Sequence, residues 1–293
     1  MYNTIEAYLE ALKTEMIGCD AALIQDAQAD AREHLSLALE AKREKTPDLS
    51  IPDALAAIIE GYGSPEETAS AYREIERRMP PALKQVVKPS SVVGRFLGVY
   101  IDPRTWGSLL FTFITFVTGL IYFAWVATGL ALSVGLSILI IGVPFAILFL
   151  LSVQGLTLLE GRMVEALLGV RMPRRPLFAQ PGLGWLARLK ALMTDKRTWL
   201  SLLYLILQLP LGLVYYAVNV ILLTFSLGAI LAPMGGLVLD TEVLVYNVVW
   251  ENLPLWAMIL ISISGFFLLT LSLHLVRGFG EFHGRYAKWM LVS

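Results

Sequence analysis

IDPRTWGSLLFTFITFVTGLIYF (residues 101–123) and TDKRTWLSLLYLILQLPLGLVYY (residues 194–216) are two versions of one pattern, ninety-three residues apart in the chain. Each version has an Asp shortly before an Arg-Thr-Trp triplet, followed by an apolar run that contains Gly-Leu-x-Tyr. An apolar run of about 20 residues is long enough to cross a bilayer as a helix. The pattern therefore predicts a chain built around duplicated membrane helices.

The composition indicates an integral membrane protein. Of the 293 residues, 56% are hydrophobic and 16% are charged, whereas a soluble domain carries roughly 25% charged residues. The single cysteine, Cys19, excludes an internal disulfide and a Cys-rich metal site. The segments long and apolar enough to span a bilayer are 107–131, 134–158, 200–224 and 254–276. We predict an all-α fold in which two repeated helical hairpins form a four-helix transmembrane domain.

The distribution of charge divides the chain into two regions. Residues 1–80 contain sixteen acidic and eight basic side chains, a net charge of −8, whereas residues 81–293 contain eight and fifteen, a net charge of +7. Such a split indicates two different environments. We predict an acidic, cytoplasmic helical bundle at 1–79, a linker at 80–93 and the transmembrane domain at 94–293.

The acidic region has the pattern of four short helices. Apolar residues at Ile5, Leu9, Leu12 and Met16 form one stripe of the first, and the next two are expected at about 20–45 and 50–61, with Gly61 ending the third. The fourth begins in GSPEETA, where Ser64 is positioned as a cap, Pro65 suits the first helical position and Glu67 completes a capping box.

Two stretches of this region, ADAREHLSLALE and SIPDALAAIIEGYGSPEETASAY, carry a resemblance to a known family. Their spacing of small and capping residues resembles the HAAS-type helical domain of bacterial signalling proteins over about residues 1–78. His34 lies where that family often has a histidine. We expect a helix-packing or capping role for His34 rather than a metal-binding role, because no second His or Cys accompanies it.

The repeat extends well beyond the two quoted stretches. Arg95 aligns with Arg188, and after about thirty extra residues in the second copy EGRMVEALL, from Glu160, aligns with HGRYAKWML, from His283. Each copy, at 94–175 and 187–293, is therefore expected to contain a basic juxtamembrane helix, a hairpin of two spans and an interfacial amphipathic tail.

The D-x-R-T-W start, the G-L-x-Y and the tail EGRMVEALLGV resemble the four-helix "putative sensor" domain of actinobacterial-type sensor proteins over about residues 94–293. The second tail departs from that pattern, because it lacks the acidic start. The resemblance implies detection of a membrane or extracytoplasmic signal and leaves the ligand unassigned.

Basic residues predict the orientation of the spans, because Lys and Arg are retained on the cytoplasmic side of short loops. All twenty-three lie before the first span, between the second and third, or at and beyond the end of the fourth. We therefore expect a bacterial inner-membrane protein with both termini in the cytoplasm and two parallel hairpins around a pseudo-two-fold axis along the membrane normal. Residues 226–239 are expected to be interfacial or re-entrant, and 241–254 an external segment that could form a lid.

Eight side chains are predicted to anchor the helices at the membrane interface. Arg can pair with lipid phosphate, Trp prefers the interfacial region, and the tail at 161–175 has the pattern of an amphipathic helix with a basic anchor. The predicted anchors, which imply anionic lipid headgroups as partners, are Arg104, Trp106, Arg197, Trp199, Arg162, Arg171, Arg174 and Arg175.

Three polar residues lie deep within the predicted spans, namely Gln208, Asn219 and His274. Hydrogen bonds between helices, worth about 1 kcal/mol each, are the expected role, and ligand contact is the alternative. The spans lack the paired acids, Ser/His pair or metal motif that intramembrane catalysis requires. We therefore predict no catalytic residue, metal or cofactor, and a protein that is not an enzyme.

The leading functional hypothesis is a membrane sensor or signalling adaptor whose acidic region contacts a basic cytoplasmic protein, such as a transcription regulator. Direct nucleic-acid binding is not expected, because the acidic region would be repelled by DNA. The acidic region could also dock on the basic part of its own chain and create an autoinhibited state. The alternatives are a small transporter or channel, or a transporter subunit, for an apolar or lipid-like substrate, and a structural protein that organises a homo-oligomer.

Overall fold

The computed structural model describes residues 2–78, 83, 91–138, 142–174, 185–239, 244–245, 248–249 and 254–292. Within this part of the chain the α-helices are α1 (Ile5–Glu15), α2 (Ala21–Lys45), α3 (Ile51–Tyr62), α4 (Pro65–Arg78), α5 (Val92–Leu97), α6 (Pro103–Gly135), α7 (Gly142–Leu168), α8 (Trp185–Thr194), α9 (Lys196–Leu239) and α10 (Leu255–Leu291). Two 3₁₀ turns are Gly98–Tyr100 and Leu136–Ile138. The all-α class is confirmed, although β1 (Leu244–Val245) and β2 (Val248–Val249) form a minute antiparallel pair.

Four of these helices are long and apolar enough to cross a membrane. They are α6, α7, the Lys196–Leu231 part of α9, and α10, with mean hydropathies of 2.1, 2.0, 2.0 and 2.2 over their most apolar windows. Helices α6 and α9 contain the predicted spans 107–131 and 200–224, and α10 begins one residue into the predicted span 254–276. Helix α7 begins at Gly142, eight residues after the predicted start of the span 134–158. The chain is therefore a multi-pass membrane protein.

The chain divides into two compact units. Unit 1 comprises Met1–Lys84, Ala124–Ile206 and Arg285–Ser293, and unit 2 comprises Gln85–Phe123 and Leu207–Gly284. Most of the predicted linker lies outside the described residues. The predicted domain boundaries therefore stay predictions.

In unit 1, the first four helices share an apolar core. It contains Tyr8, Leu9, Leu12, Met16, Leu23, Ala27, Ala31, Leu35, Leu55 and Ala69. The hydroxyl of the buried Tyr8 donates to the carbonyl oxygen of Gly63 at 2.9 Å and lies 3.0 Å from Thr68 Oγ1. These contacts tie α1 to the α3–α4 turn. His34 has the predicted packing role, because its ring stacks on Tyr62.

The boundaries of the N-terminal helices follow local chemistry. The predicted capping box is confirmed, because the Glu67 amide donates to Ser64 Oγ at 3.2 Å and the Ser64 amide donates to Glu67 Oε2 at 2.8 Å. The predicted end at Gly61 is wrong: α3 continues to Tyr62 and stops at Gly63, whose φ of +112° suits glycine.

The tail after the second span folds differently from the prediction of a separate amphipathic helix. Its first part is the last turns of α7, and Gly169, with φ of +69°, reverses the chain. A Cβ built on Gly161 would lie 3.4 Å from Met172 Cβ, so the segment after Gly169 packs along α7. The aligned tail in the second copy is likewise the end of α10.

In unit 2, α6 and α9 cross through two glycines. A Cβ added to Gly119 would lie 2.8 Å from the carbonyl oxygen of Gln208, and one added to Gly212 would lie 2.6 Å from that of Thr115. Gly212 is the repeat counterpart of Gly119, and Gln208 is that of Thr115. The two contacts are therefore reciprocal, and the absence of side chains lets the backbones meet.

The contacts between α6 and α9 run antiparallel. Residue numbers fall along α9 as they rise along α6: Asn219 contacts Thr112, Gly212 meets Thr115, and Gly119 meets Gln208. This pairing contradicts the predicted parallel arrangement around an axis along the membrane normal. The close glycine crossing and the buried amide–hydroxyl bond account for it physically, since both require these faces to meet.

Helix α9 is longer than the predicted third span, 200–224, and continues through Ser226 and Pro233 to Leu239. The interfacial or re-entrant position expected for 226–239 stays a prediction. Packing explains the continuation, because a Cβ added to Gly265 of α10 would lie 2.9 Å from Ala229 Cβ. Tertiary contacts of this kind let a membrane helix tolerate proline. Of the predicted external segment 241–254, only residues 244–245, 248–249 and 254 are described.

Substituting the crossing glycines tests the reciprocal contact. Gly119→Ala and Gly212→Ala each force a methyl group against backbone, and each is expected to lower the free energy of unfolding by about 1–3 kcal/mol. The matched control is Gly278→Ala in α10, where nothing lies within 4 Å of the added Cβ. Unfolding by SDS titration in mixed micelles measures all three. Equal stability of the three variants would show that the helices do not cross there.

Candidate functional site

Opposite charges meet within unit 1 where the N-terminal helices contact later parts of the chain. We call this contact the charged interface: Asp20, Asp26 and Glu76 from the N-terminal helices, with Lys288 of α10 and the two arginines of the segment that follows α7, Arg171 and Arg174. Three different N-terminal carboxylates accept hydrogen bonds there. The acidic region is thereby docked on a basic part of its own chain.

The Asp20 carboxylate has two roles at the charged interface. Its Oδ1 accepts from the Ala22 amide at 2.9 Å and caps α2, while its Oδ2 pairs with Lys288 Nζ. The side chains of Asp20 and Lys288 are 29% and 33% exposed. A carboxylate that also serves as an N-cap is held in position by the helix it starts, so less side-chain entropy is lost when the pair forms.

The pair of Glu76 and Arg171 is the most buried contact at the charged interface. The side chain of Arg171 is 6% exposed and that of Glu76 is 22% exposed. Arg171 lies two residues after Gly169, so the reversal of the chain at this glycine brings the guanidinium to α4. A Cβ at Gly169 would lie 2.6 Å from the carbonyl oxygen of Leu83, and larger residues are excluded there.

Arg174 joins α2 to α7 through two different groups. Its backbone amide donates to Asp26 Oδ1 at 2.7 Å, and its guanidinium donates to Glu165 Oε1 at 2.8 Å. Asp26 and Glu165 are 5% and 7% exposed. The hydrogen bond to Glu165 raises the pKa of Arg174 further above its ordinary value. Arg174 therefore stays charged and holds both buried acids.

The predicted interface anchors occupy repeated positions. Trp106 Nε1 donates to the carbonyl oxygen of Tyr100 at 2.9 Å, and Trp199 Nε1 donates to that of Met193 at 2.8 Å. Both indoles are about half exposed, at 50% and 51%. Each tryptophan therefore has a satisfied N–H and an apolar ring available to lipid.

The arginine anchors are placed in several ways. Arg104 and Arg197, beside those tryptophans, are half-buried, while Arg162 is exposed and pairs with Glu165 at 3.3 Å. Arg171 and Arg174 belong to the charged interface instead, and Arg175 lies outside the described residues. Contact of Arg104, Arg162, Arg175 and Arg197 with lipid stays a prediction, whereas Arg171 is buried against Glu76.

The three polar residues predicted within the spans are buried or half-buried. Asn219 Nδ2 donates to Thr112 Oγ1 at 2.7 Å, as expected for a bond between helices. His274 Nε2 lies 3.0 Å from the carbonyl oxygen of Phe96, and Gln208 is fully buried at the glycine crossing. Asn219 and His274 therefore make polar contacts between helices.

Sequence reasoning missed two fully buried ionisable residues, Glu160 and His283. Glu160 Oε1 lies 3.5 Å from the Tyr204 hydroxyl in unit 1, and His283 packs against the rings of Phe111 and Tyr215 in unit 2. Their alignment as the first residues of the two tails was the available signal. Because each tail also carries arginine, the pattern predicts an interfacial position for both tails.

The fold and the charged interface define a class: an all-helical, multi-pass membrane protein whose acidic N-terminal helices are ion-paired to basic groups of the same chain. A family model described as "Putative sensor" matches residues 113–291, more than half of the chain, and the chain belongs to this family. No curated protein and no solved structure matches the chain. The resemblance of the repeats to this family is confirmed over those residues, and that of residues 1–78 to HAAS-type domains stays a prediction.

Neutralising Glu76 tests the energy of the charged interface. Glu76→Gln leaves the buried Arg171 without its counter-charge and is expected to lower the free energy of unfolding by about 2 kcal/mol or more. The matched control is Glu74→Gln on the same helix, which loses only an exposed i,i+4 pair with Arg78 worth about 0.5 kcal/mol or less. SDS titration of the full-length protein provides both values. Equal losses would mean that the Glu76 pair is no stronger than a surface pair.

Proposed function

We propose that this protein is a bacterial membrane sensor or signalling adaptor without a catalytic module of its own. A signal received in the bilayer or at its outer face changes the packing of the membrane helices. That change loosens the charged interface and makes the acidic N-terminal helices available to a basic cytoplasmic protein. Membership of the sensor family supports the sensing role, and the charged interface supports the output.

The observation that carries this proposal is the pairing of N-terminal carboxylates with cations elsewhere in the chain. Carboxylates engaged by Arg171 and Lys288 are not available to a second cationic surface. Docking and partner binding therefore compete for the same acids. The protein then has two states, one with the N-terminal helices docked and one with them bound to the partner. A signal shifts the balance between these states only if it binds one of them more tightly than the other.

The pairs at the charged interface belong to a route from the membrane helices. Arg174 binds Glu165 of α7, and Lys288 is in the last turn of α10. Glu160 and Glu165 lie on the same helix as the span of α7, five residues apart. A shift of α7 or α10 along its axis therefore moves cations away from fixed carboxylates, and charged pairs of this geometry weaken steeply when lengthened.

We also propose that both chain termini lie in the cytoplasm of a bacterial inner membrane. The contact of Asp20 with Lys288 supports a common compartment for the N-terminal helices and the end of α10. The placement of all basic residues supports the cytoplasm as that compartment. If all basic residues are cytoplasmic, both Arg-Thr-Trp motifs must lie on the cytoplasmic side. The antiparallel contact of α6 and α9 opposes this consequence, because antiparallel helices place the two motifs at opposite ends of the pair.

A second function is favoured by an apolar cavity in unit 1. It has a volume of about 340 Å³ and lies between the end of α6, the start of α7 and the start of α9, with Phe149 and Trp199 in its wall. Apolar cavities of 300–1,000 Å³ are typical of small-molecule sites. This cavity supports the alternative of a carrier for a lipid-like substrate, and flux of labelled lipid in proteoliposomes distinguishes a carrier from a sensor.

Charge exchange at the charged interface tests the signalling proposal. In full-length protein, Glu76→Arg places two guanidinium groups together and is expected to undock the N-terminal helices, because like charges at this distance repel. The double variant Glu76→Arg with Arg171→Glu restores an opposite pair. Proteins that copurify from the bacterium's own membranes are quantified for wild type, the single variant and the double variant.

The expected result is a cytoplasmic protein recovered at least several-fold more with the single variant, and near the wild-type level with the double variant. Glu74→Arg, an exposed change on the same helix, is the control for added charge. Identical partner profiles for wild type and the single variant would contradict the proposed output.

The proposed localisation is tested by cysteine labelling. After replacement of the native Cys19 by serine, single cysteines are introduced as Ile17→Cys in the N-terminal region and Trp289→Cys near the end of α10, two positions that are 76% and 74% exposed. Both are expected to resist a membrane-impermeant maleimide in intact cells and to react after permeabilisation. Reaction of either one from outside would contradict the cytoplasmic assignment.

A further inference from the structure

We propose that the cavity at the charged interface binds a phosphate-bearing ligand that holds the N-terminal helices docked. The cavity has a volume of about 490 Å³ and lies wholly within unit 1. Its wall combines residues of α4 and the α1–α2 connection with the chain after Gly169 and the end of α10. This inference rests on the proposed function, because it assigns a ligand to the same interface.

The charges in the cavity wall do not balance. Four cations line it, against two carboxylates, which leaves a formal net charge of +2; the six side chains are Arg73, Arg77, Arg171, Lys288, Asp20 and Glu76. Two cations come from α4 and two come from the opposite wall. The pairs of Arg171 with Glu76 and of Lys288 with Asp20 leave the charges of Arg73 and Arg77, four positions apart on α4, without a counter-charge in the wall.

Two groups in the wall have unused hydrogen-bonding capacity. Arg171 Nε is buried and has no hydrogen-bond partner among the described residues, although the same guanidinium pairs with Glu76 through Nη1. Arg77 is exposed, and no hydrogen bond or ion pair is found for it within the described part of the chain. Buried guanidinium N–H groups are costly to leave unpaired, so the Arg171 group is a positive indication of a missing acceptor.

A phosphate-bearing ligand fits these groups better than other anions. Guanidinium forks donate two parallel hydrogen bonds to phosphate oxygens, and an ammonium adds a point charge. A dianionic phosphate neutralises the excess of +2, whereas a carboxylate would neutralise half of it. The volume suits a small molecule or one lipid headgroup. The ligand bridges cations of both walls. Because it binds only when the N-terminal helices are docked, it stabilises the docked state.

The first experiment uses inorganic pyrophosphate as the probe. Full-length protein is placed in nanodiscs of zwitterionic phosphatidylcholine, and binding is measured by calorimetry together with the shift in unfolding temperature. Pyrophosphate is expected to bind and to raise the unfolding temperature of wild type. Arg77→Gln is expected to weaken binding at least about tenfold, because a hydrogen bond to a charged group is lost. The matched control Arg43→Gln, an exposed arginine of α2 outside the cavity, should change affinity by less than about twofold.

A gain-of-binding variant guards against loss through misfolding. Glu76→Gln removes a carboxylate that competes for Arg171 and raises the net positive charge of the cavity. Without ligand this variant is expected to unfold at a lower temperature than wild type, because the pair with Arg171 is lost. Pyrophosphate can take the place of the lost carboxylate, so it is expected to bind to this variant more tightly than to wild type and to raise the unfolding temperature by more. No binding by wild type, or equal binding by the Arg77 and Arg43 variants, would overturn the inference.

The source of the phosphate is distinguished in a second arm. Wild type and Arg77→Gln are purified from membranes that contain phosphatidylglycerol, and retained lipid is counted by native mass spectrometry. Retention that depends on Arg77, together with weak pyrophosphate binding, assigns the site to a lipid headgroup; strong pyrophosphate binding without retained lipid assigns it to a soluble phosphate compound. Both results support the inference. Neither measurement involves a protein partner, so the ligand site and the signalling proposal can fail separately.

Discussion

Arg171 is almost fully removed from water, and its guanidinium cannot be deprotonated at any physiological pH. A charge in that position must keep a counter-charge, and the structure supplies Glu76 from a helix ninety-five positions earlier in the chain. The N-terminal helices therefore cannot leave without exposing or stranding this group. Breaking such a pair costs more than forming it contributes, which makes it suitable as a holding contact that a competing partner can replace.

The position of Arg171 depends on backbone features that carry no charge themselves. Gly169 reverses the chain through a positive φ, and the returning segment packs Met172 on Gly161 of α7. Arg174 is then close enough to bind Glu165 and Asp26 together. The end of a membrane helix and the N-terminal helices thus share one set of carboxylates and cations. A sensor needs such a connection, because the signal and its output are otherwise independent.

Local patterns predicted most of the fold. The four spans, the four N-terminal helices and the Ser64 capping box follow from hydropathy, period and cap chemistry, which act over a few residues. The differences from the prediction involve contacts between distant residues. Helix α9 passes Ser226 because α10 packs on it, and the tail after α7 folds back because Gly169 permits it. The repeat shows that Gly119 and Gly212 are equivalent positions, but the sequence does not show that α6 and α9 contact each other antiparallel through them.

The sequence predicted the basic residues of the candidate site but not the acidic residues that pair with them. The pattern of the tail predicts that its arginines contact lipid, since a basic amphipathic stretch after a span is typical of a membrane interface. The opposite net charges of the two regions allow the acidic region to dock on the basic part of the chain, but net charge does not specify which acids are involved. Asp20, Asp26 and Glu76 lie at unrelated sequence spacings, and only the folded chain brings them to Lys288, Arg174 and Arg171.

The most direct test of the account is a double-mutant cycle on Glu76 and Arg171. The free energies of unfolding of full-length wild type, Glu76→Gln, Arg171→Gln and the double variant are measured under identical conditions. The account predicts a coupling energy above about 1 kcal/mol, because the two groups contact each other with little water between them. Additive effects within about 0.3 kcal/mol would contradict it, since the two residues would then not be paired in the folded protein.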